Sequence, residues 1–480
     1  MTVSYVAGAA SGPRKSAVRR ATLVAVLVAT SACSLGPRYV RPDVPVPDAF
    51  REAGEWKPVE PADELPRGRW WEIFGDPQLN MLEERLSVSN QTLKAAEAQF
   101  AQARALVGTT RAGYFPQVGG GLPVTTTSQS ENRPNPSMDA RFTDYLLRAD
   151  VSYEADVWGR VRATVSASRA SAQAAAGDLG AVNLTLHAEL AADYLLLRAL
   201  DAERQMVESA VAGYQRALEL TTNRYEGGLA SALDVAQAET QLEGTRAQAI
   251  DLQIRRAQLE HAMAVLVGEP ASSFSLVPAP LTVPVPAVPA VVPSSLLERR
   301  PDIAAAERRV VAANVQLGIT KAAYYPLLNL GGALGFEASS PNTWLKAASG
   351  LWTFAPSLAL SLFDGGRRRS ASAQARAFYD RTVAVYRETT LNAFKEVEDN
   401  LAALRILEEE SRIQQAAVAA AQRALTHATN RYTGGISTYL EVISAQSALL
   451  ANQRVAVGVA ARRLTASVLL VKALGGGWSY

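Results

Sequence analysis

The sequence predicts a mainly α-helical chain with a membrane β-barrel part, built as an internal two-fold repeat. The first observation is the repeat itself. Residues 217–268 recur at 424–475, and TNRYEGGLASALDV at 222–235 is matched by TNRYTGGISTYLEV at 429–442. The second observation is a set of long segments with apolar residues at helical spacing, and the third is a set of alternating segments. One unit of about 210 residues is therefore written twice.

The composition narrows the class of protein. The chain has 480 residues, a formal net charge of +2 and a single cysteine, Cys33. The balanced charge argues against electrostatic binding of nucleic acid, and one cysteine excludes an intramolecular disulfide. The three histidines stand singly and are interpreted as ordinary helix residues. Because no nucleotide loop, nucleophile elbow or metal-ligand spacing is present, we expect no enzyme, cofactor or metal.

The amino terminus predicts an export signal over residues 1–32. Basic residues precede an apolar run that is too short for a bilayer, which needs about 20 apolar residues. Small residues then lead to Cys33, as in a bacterial lipoprotein signal, and we expect this cysteine to carry lipid such as palmitate. Thr30 departs from the usual leucine of that signal, and the alternative is a plain signal peptide. Ser34, in place of aspartate, favours the outer membrane.

Two proline-rich stretches divide the rest of the chain. We expect residues 33–76 to form an extended tether and residues 278–294 to link the two repeats. The first repeat then covers residues 77–277 and the second covers residues 295–480. Each repeat should contain, in order, a helix, two strands, a long helix, a turn and another helix.

Helical periodicity is strongest in the long helix of each repeat. The predicted helices cover residues 77–112, 158–226, 230–267, 295–322, 366–433 and 437–474. An apolar stripe at three- and four-residue spacing runs along each long helix. Its members are Leu179, Val182, Leu186, Leu190, Tyr194 and Leu197 in the first copy and Phe394, Val397, Leu401 and Leu404 in the second. At 1.5 Å per residue, each long helix would measure about 100 Å.

Alternation of side chains predicts the strands. We expect them at residues 114–124, 146–157, 326–336 and 354–363. In the second, apolar side chains fall on one face and charged ones on the other. A half-buried strand of a soluble protein alternates too, but length and one-sided charge favour a barrel strand, which needs about 9–11 residues. Polar stretches 125–141 and 337–349 are expected to be loops. Because four strands cannot close a barrel, the chain must oligomerise.

Several motifs together carry a family resemblance. They are CSLGPRYVRP (33–42), WWEIFGDPQL (70–79), YEADVWGRVR (153–162), the segment 299–326, LFDGGRRR (362–369) and the paired RYxGG turns. Together they resemble the outer-membrane factor family of TolC/OprM-type efflux channels, in its NodT-like lipoprotein branch. The resemblance implies a TolC-like homotrimer with a twelve-stranded barrel in outer-membrane lipid and a twelve-helix periplasmic tunnel. It implies an exit channel for drugs or other small molecules, supplied by a periplasmic adaptor and an inner-membrane pump of the RND type.

The resemblance also assigns roles to the two turns. It places the adaptor-docking turns at Arg224, Tyr225, Gly227, Gly228, Arg431, Gly434 and Gly435. It places a periplasmic gate at Asp234, Tyr432, Leu440, Glu441 and Ser444. Tyr432 and Asp234 of neighbouring hairpins would form a latch, although Ser437 stands where the family has an arginine. The residues themselves leave a second interpretation open: Ser231 with Asp234, and Thr438 with Glu441, have the spacing of capping boxes.

Two other functions remain open at this level. The same fold serves ducts for protein secretion, and a lipid-anchored coiled-coil scaffold without a pore would also be helical. The alternating strands oppose the scaffold, because a scaffold needs no lipid-facing strands. The basic run GGRRRS at 365–370, where the last strand meets its helix, is either a solvated surface or a contact for acidic lipid headgroups.

Overall fold

The computed structural model describes residues 35–47, 49–53, 68–130, 132, 141–286 and 300–476. The predicted signal peptide, Cys33 and much of the linker lie outside these residues. The chain divides into two compact units. One consists of residues 1–42, 101–174 and 307–385, and the other of residues 43–100, 175–306 and 386–480.

Long helices dominate the described residues. They are α1 (Pro77–Ser89), α2 (Gln91–Arg111), α3 (Arg160–Glu226), α4 (Ala232–Leu266), α5 (Pro301–Ala322), α6 (Arg367–Thr433) and α7 (Tyr439–Ala473). None of the helices within the described ranges has the length and apolar character to cross a bilayer. Most bounds lie within a few residues of the prediction, but the segment expected as one helix over 77–112 is two.

Asn90 causes the break between α1 and α2. Its backbone is extended, and its side-chain oxygen accepts a hydrogen bond from Leu93 N at 2.8 Å. Its amide nitrogen donates to Leu266 O at 2.7 Å. The side chain thus satisfies a free N–H at the start of α2 and a free carbonyl at the end of α4, as the ends of helices require.

A single antiparallel sheet carries the strands, which are β1 (Gln117–Gly121), β2 (Val124–Ser128), β3 (Arg141–Glu154), β4 (Leu327–Ala338) and β5 (Gly350–Ala359). β1 and β2 both pair with β3, and β4 lies between β3 and β5. β1 and β2 keep one register along β3, since Gly121 pairs with Arg148 and Val124 with Tyr145. They are one strand interrupted at Pro123, which has no N–H to donate.

The observed strand bounds correct several expectations. The first strand continues to Ser128, into a stretch expected to be a loop. β3 ends at Glu154 rather than at residue 157 because the chain turns at Asp156. The Asp156 carboxylate accepts hydrogen bonds from Val161 N and Arg162 N, both at 2.9 Å, and so caps α3. β5 is shifted to Gly350–Ala359 from the expected 354–363.

The register sorts side chains onto two faces. On one face Leu147 pairs with Phe336 and Tyr153 with Leu330, while on the other Arg148 pairs with Gly335. The apolar face continues on β5, where Trp352, Phe354 and Leu358 are 80%, 66% and 69% exposed. The other face holds small or polar residues. The predicted alternation is therefore confirmed, and the apolar side chains of β5 are left exposed by the residues that the structure describes.

All helical connections leave the sheet from one end. α2 leads into β1 and α5 into β4, while β3 leads into α3 and β5 into α6. β2 ends and β3 begins at the opposite end, where the β4–β5 connection also lies. The sheet therefore has a helical end and a loop end.

The second unit holds the main apolar core. Most of the predicted stripe is buried there: Leu190, Tyr194 and Leu197 are at most 1% exposed, Phe394 and Val397 join them, and Leu179 and Val182 are partly buried against this core. Trp70, Trp71 and Phe74, on a short 3-10 helix, pack into the same core. The Tyr194 hydroxyl donates to Asp76 at 2.7 Å, and Asp76 in turn caps α1. The WWEIFGDP segment thus connects α1 to α3 through apolar packing and the hydrogen bond between Tyr194 and Asp76.

A buried polar pair lies in this core. Glu83 and His187 are 0% and 2% exposed, and His187 Nδ1 lies 2.5 Å from Glu83 Oε2. Trp71 stacks on the imidazole at 4.4 Å. Burial raises the pKa of Glu83 well above its usual value and lowers the pKa of His187 to about 4. The neutral pair is therefore favoured, and His187 is a helix residue, as predicted, whose side chain is buried in the core.

Candidate functional site

The two hairpins α3–α4 and α6–α7 contain the residues to which the sequence assigned function, and both turns lie in the second unit. Each turn begins where a long helix ends, and the two helices end in the same way. Gly228 and Gly435 have φ of +71° and +73°, in the left-handed region where glycine is favoured. Leu229 N donates to Arg224 O at 2.7 Å, and Ile436 N donates to Arg431 O at 2.9 Å. These are Schellman motifs, so Gly228 and Gly435 cap the carboxyl ends of α3 and α6.

The preceding glycines, Gly227 and Gly434, directly follow the last residues of α3 and α6. A Cβ on Gly434 would lie 3.2 Å from Asn430 O, and one on Gly227 would lie 3.4 Å from Asn223 O. Gly434 therefore has less room than Gly227 for a side chain.

The acidic residues after the turns behave differently in the two copies. Asp234 forms the predicted capping box: its carboxylate accepts from Ser231 N at 2.9 Å, and Ser231 Oγ accepts from Asp234 N at 3.2 Å. Thr438 makes no capping hydrogen bond with the described residues. Glu441 instead lies 3.4 Å from Arg431 Nε in an ion pair. The second capping box was therefore predicted wrongly.

Tyr432 joins the two hairpins of one chain. It is 5% exposed, and its hydroxyl donates to Thr221 Oγ1 on α3 at 3.4 Å. The Arg224 guanidinium lies 4.8 Å from the centre of its ring, and Tyr439 packs against it at 5.2 Å. Arg224 also donates to Thr433 O at 3.2 Å. Within one chain, the Tyr432 hydroxyl therefore forms its hydrogen bond with Thr221 and not with Asp234.

The remaining gate residues are accessible. Leu440 is 55% exposed, and Glu441 and Ser444 are exposed as well. Ser437, at the position of the family's arginine, has a buried hydroxyl without a partner among the described residues. Tyr225, the repeat mate of Tyr432, is 47% exposed.

Sequence reasoning missed an apolar surface on the turns. Leu229 and its repeat mate Ile436 are 73% and 72% exposed, and Leu233 and its mate Leu440 are 65% and 55% exposed. The sequence does carry a signal for this surface. Both positions hold apolar residues in each copy of the turn, and a short turn between two helices can bury few side chains. Together they give each hairpin a pair of exposed apolar side chains.

Comparison with known proteins gives the class. The family model described as "Outer membrane efflux protein" matches residues 82–269 and 292–476. The chain therefore belongs to the outer membrane efflux protein family, a family of channel proteins. The two matched segments correspond to the two predicted repeats.

Individual relatives extend over almost the whole chain. The toluene efflux pump outer membrane protein TtgF of Pseudomonas putida is 32% identical over 465 residues, covering 95% of this chain and 96% of the relative. The cation efflux system protein CusC of Escherichia coli O6:H1 is 30% identical, covering 94% of this chain and 97% of the relative. The solved outer-membrane channel OprN superposes with a TM-score of 0.86 at 28% identity, covering 93% of this chain and 100% of that one.

These matches confirm the predicted TolC-like fold. The chain is an outer-membrane efflux channel, an exit for molecules leaving the cell, with a large periplasmic portion. The predicted function as an efflux exit channel and the predicted location in the outer membrane are therefore confirmed.

Proposed function

We propose that three copies of this chain close a shared twelve-stranded barrel and form the outer-membrane end of a tripartite pump. The observation that supports this most strongly is the sheet. Its edges, β1 with β2 on one side and β5 on the other, have no partner strand among the described residues. Open edges are not tolerated in lipid, and the exposed apolar face needs lipid around it.

The repeat predicts how neighbouring copies pair. Arg148 pairs with Gly335 between β3 and β4. The repeat mate of Arg148 on β5 is Ala355, and the mate of Gly335 on the first strand is Thr125. We therefore expect Ala355 of one copy to lie opposite Thr125 of the next. The same register places Leu358 opposite Leu122, so the apolar face continues around the barrel.

The exposed turns suggest the partners. The turns with Leu229, Leu233, Ile436 and Leu440 would dock a periplasmic adaptor, which connects the channel to an inner-membrane pump of the RND type. The exposed Leu440 and Glu441, with Ser444, would line the gate, and Tyr432 would hold it closed by joining adjacent hairpins. The channel would pass drugs or other small molecules. It would carry out no catalysis, because the pump supplies the energy.

Lipidation of Cys33 would add a second anchor. Cys33 lies outside the described residues, but the tether just after it is held on α5. Asn314 Nδ2 donates to Pro37 O at 2.9 Å, and a Cβ on Gly318 would lie 2.8 Å from Gly36 Cα. This contact, inside the unit that contains the sheet, would keep acyl chains on Cys33 near the membrane-embedded strands.

Disulfide trapping between edge strands tests the assembly. In a Cys33→Ser background, Thr125→Cys combined with Ala355→Cys should give covalent trimers on oxidation. Ala355→Cys with Thr127→Cys, two residues out of register, is the matched control and should crosslink weakly. Exclusively monomeric protein, at full expression in the outer membrane, would contradict the proposed barrel.

A further inference from the structure

The two places where a strand runs into a long helix differ in charge. The first junction is YEADVWGRVR at 153–162, and the second is LSLFDGGRRR at 360–369. They are repeat mates, residue for residue, and both lie in the unit that contains the sheet. Arg367 and Arg369 correspond to Arg160 and Arg162. The two junctions can therefore be compared directly.

At the first junction each of these arginines has a carboxylate. Arg160 Nε donates to Glu154 Oε1 at 2.7 Å, and Arg162 Nε donates to Asp156 Oδ2 at 3.2 Å. The two acidic and two basic side chains balance. The junction thus presents no excess charge to its surroundings.

At the second junction both carboxylates are missing. Ser361 stands at the position of Glu154, and Phe363 stands at the position of Asp156. Arg367 and Arg369 are exposed, and neither forms an ion pair with any described residue. Arg368 does have a partner, because its Nε donates to Asp364 at 2.6 Å. Three guanidinium groups and one carboxylate leave this junction with an excess of two positive charges.

Large exposed apolar side chains precede the unpaired arginines in the sequence, and others lie at the same end of the sheet. Leu362 and Phe363 are 89% and 91% exposed. Tyr324 and Tyr325, just before β4 at the same helical end of the sheet, are 46% and 42% exposed. Aromatic and apolar side chains beside basic ones are typical of the zone where a membrane meets water. Because the helices lie in the periplasm, this zone is the inner leaflet of the outer membrane.

We propose that Arg367 and Arg369 bind the headgroups of anionic phospholipids in that leaflet, with Leu362 and Phe363 among the acyl chains. The proposal rests on the sheet spanning the outer membrane as described above. The binding groups are the guanidiniums rather than the start of α6, because the Asp364 carboxylate already accepts from Gly366 N and Arg368 N at 3.1 and 3.3 Å. Guanidinium and phosphate pair well, often through two hydrogen bonds.

Retention of lipid by the purified full chain tests this. The chain is extracted from vesicles of phosphatidylethanolamine and phosphatidylglycerol, and the lipids it keeps are counted by native mass spectrometry. A basic residue at an anionic surface is worth about a fivefold preference. Arg367→Gln with Arg369→Gln should therefore reduce the preference for phosphatidylglycerol about 25-fold. Arg423→Gln, an exposed arginine of α6 in the other unit, is the matched control and should leave the preference unchanged.

A second variant keeps both arginines and restores the carboxylates of the first junction. Ser361→Glu with Phe363→Asp should reduce the preference to a similar extent, since each guanidinium then has an internal partner. Equal retention of phosphatidylglycerol by wild type and the arginine variant would overturn the proposal. So would dissociation of the trimer by that variant in lipid-free detergent, which would assign the arginines to a neighbouring copy. Bilayer conductance, recorded in parallel, separates loss of the lipid site from loss of the channel itself.

Discussion

Arg224→Ala is expected to open the channel at rest. Arg224 belongs to the first hairpin, and its guanidinium contacts the Tyr432 ring at 4.8 Å and donates to Thr433 O at 3.2 Å on the second. It is one of the groups that join the hairpins of a chain. Because the proposed gate opens by separation of the hairpins, loss of these contacts should favour the open state.

The size of the effect follows from the two contacts. A cation–π contact at a partly exposed site contributes about 0.5–1 kcal/mol, and the hydrogen bond contributes about 1 kcal/mol. Together they amount to about 2 kcal/mol for each copy, or roughly a 30-fold shift of the opening equilibrium. Arg224→Lys keeps the charge but loses the planar group, and it should produce an intermediate shift.

The repeat supplies a matched control. Arg431, the mate of Arg224, makes an ion pair with Glu441, in which the side chains are 52% and 49% exposed. Such a pair contributes about 0–1 kcal/mol, so Arg431→Ala should change the opening equilibrium about fivefold at most. Resting conductance in planar bilayers measures both variants. Wild-type conductance for Arg224→Ala, or equal opening by Arg431→Ala, would refute the role given to Arg224.

Three further predictions concern stability. Asp234→Ala removes the capping box and should lower the free energy of unfolding by about 1 kcal/mol in urea titration, whereas Thr438→Ala should change it little, since Thr438 makes no cap. Glu83→Gln should remove a loss of thermal stability with rising pH: the raised pKa of Glu83 in the folded chain makes wild type lose stability as pH rises above about 4.5, whereas the pKa of His187, lowered to about 4, makes the chain gain stability between about pH 4 and 6.5, so parallel pH profiles of the two proteins would contradict the buried neutral pair. Gly435→Ala forces a side chain into φ of +73° and should cost about 1 kcal/mol; an unchanged melting temperature would argue against the Schellman turn.

Much of the fold could be predicted because the repeat doubles each signal. Leu190 and Val397 lie on stripes at the same helical spacing, and both are buried in the core. The turn glycines were predictable for the same reason, since paired glycines at equivalent positions after long helices leave few alternatives to a helix cap. The alternating faces of β3 and β4 followed from the period of two.

What the sequence did not reveal depends on contacts between distant residues. Glu441 has the spacing of a capping box, yet it pairs with Arg431 across the turn, and no local rule decides between the two partners. Likewise, Glu83 and His187 are 104 residues apart, so neither signals a buried pair by itself. The interruption at Pro123 was the exception, since a proline inside a strand is a local signal that the single predicted strand 114–124 ignored.

Single-channel recording from the purified full-length chain in a planar bilayer tests the central claim most directly. We expect discrete, long-lived conductance steps from a trimeric fraction, with a low resting level that Arg224→Ala increases. Absence of any steps from protein that is folded, trimeric and inserted in the bilayer would contradict the assignment of this chain as a channel.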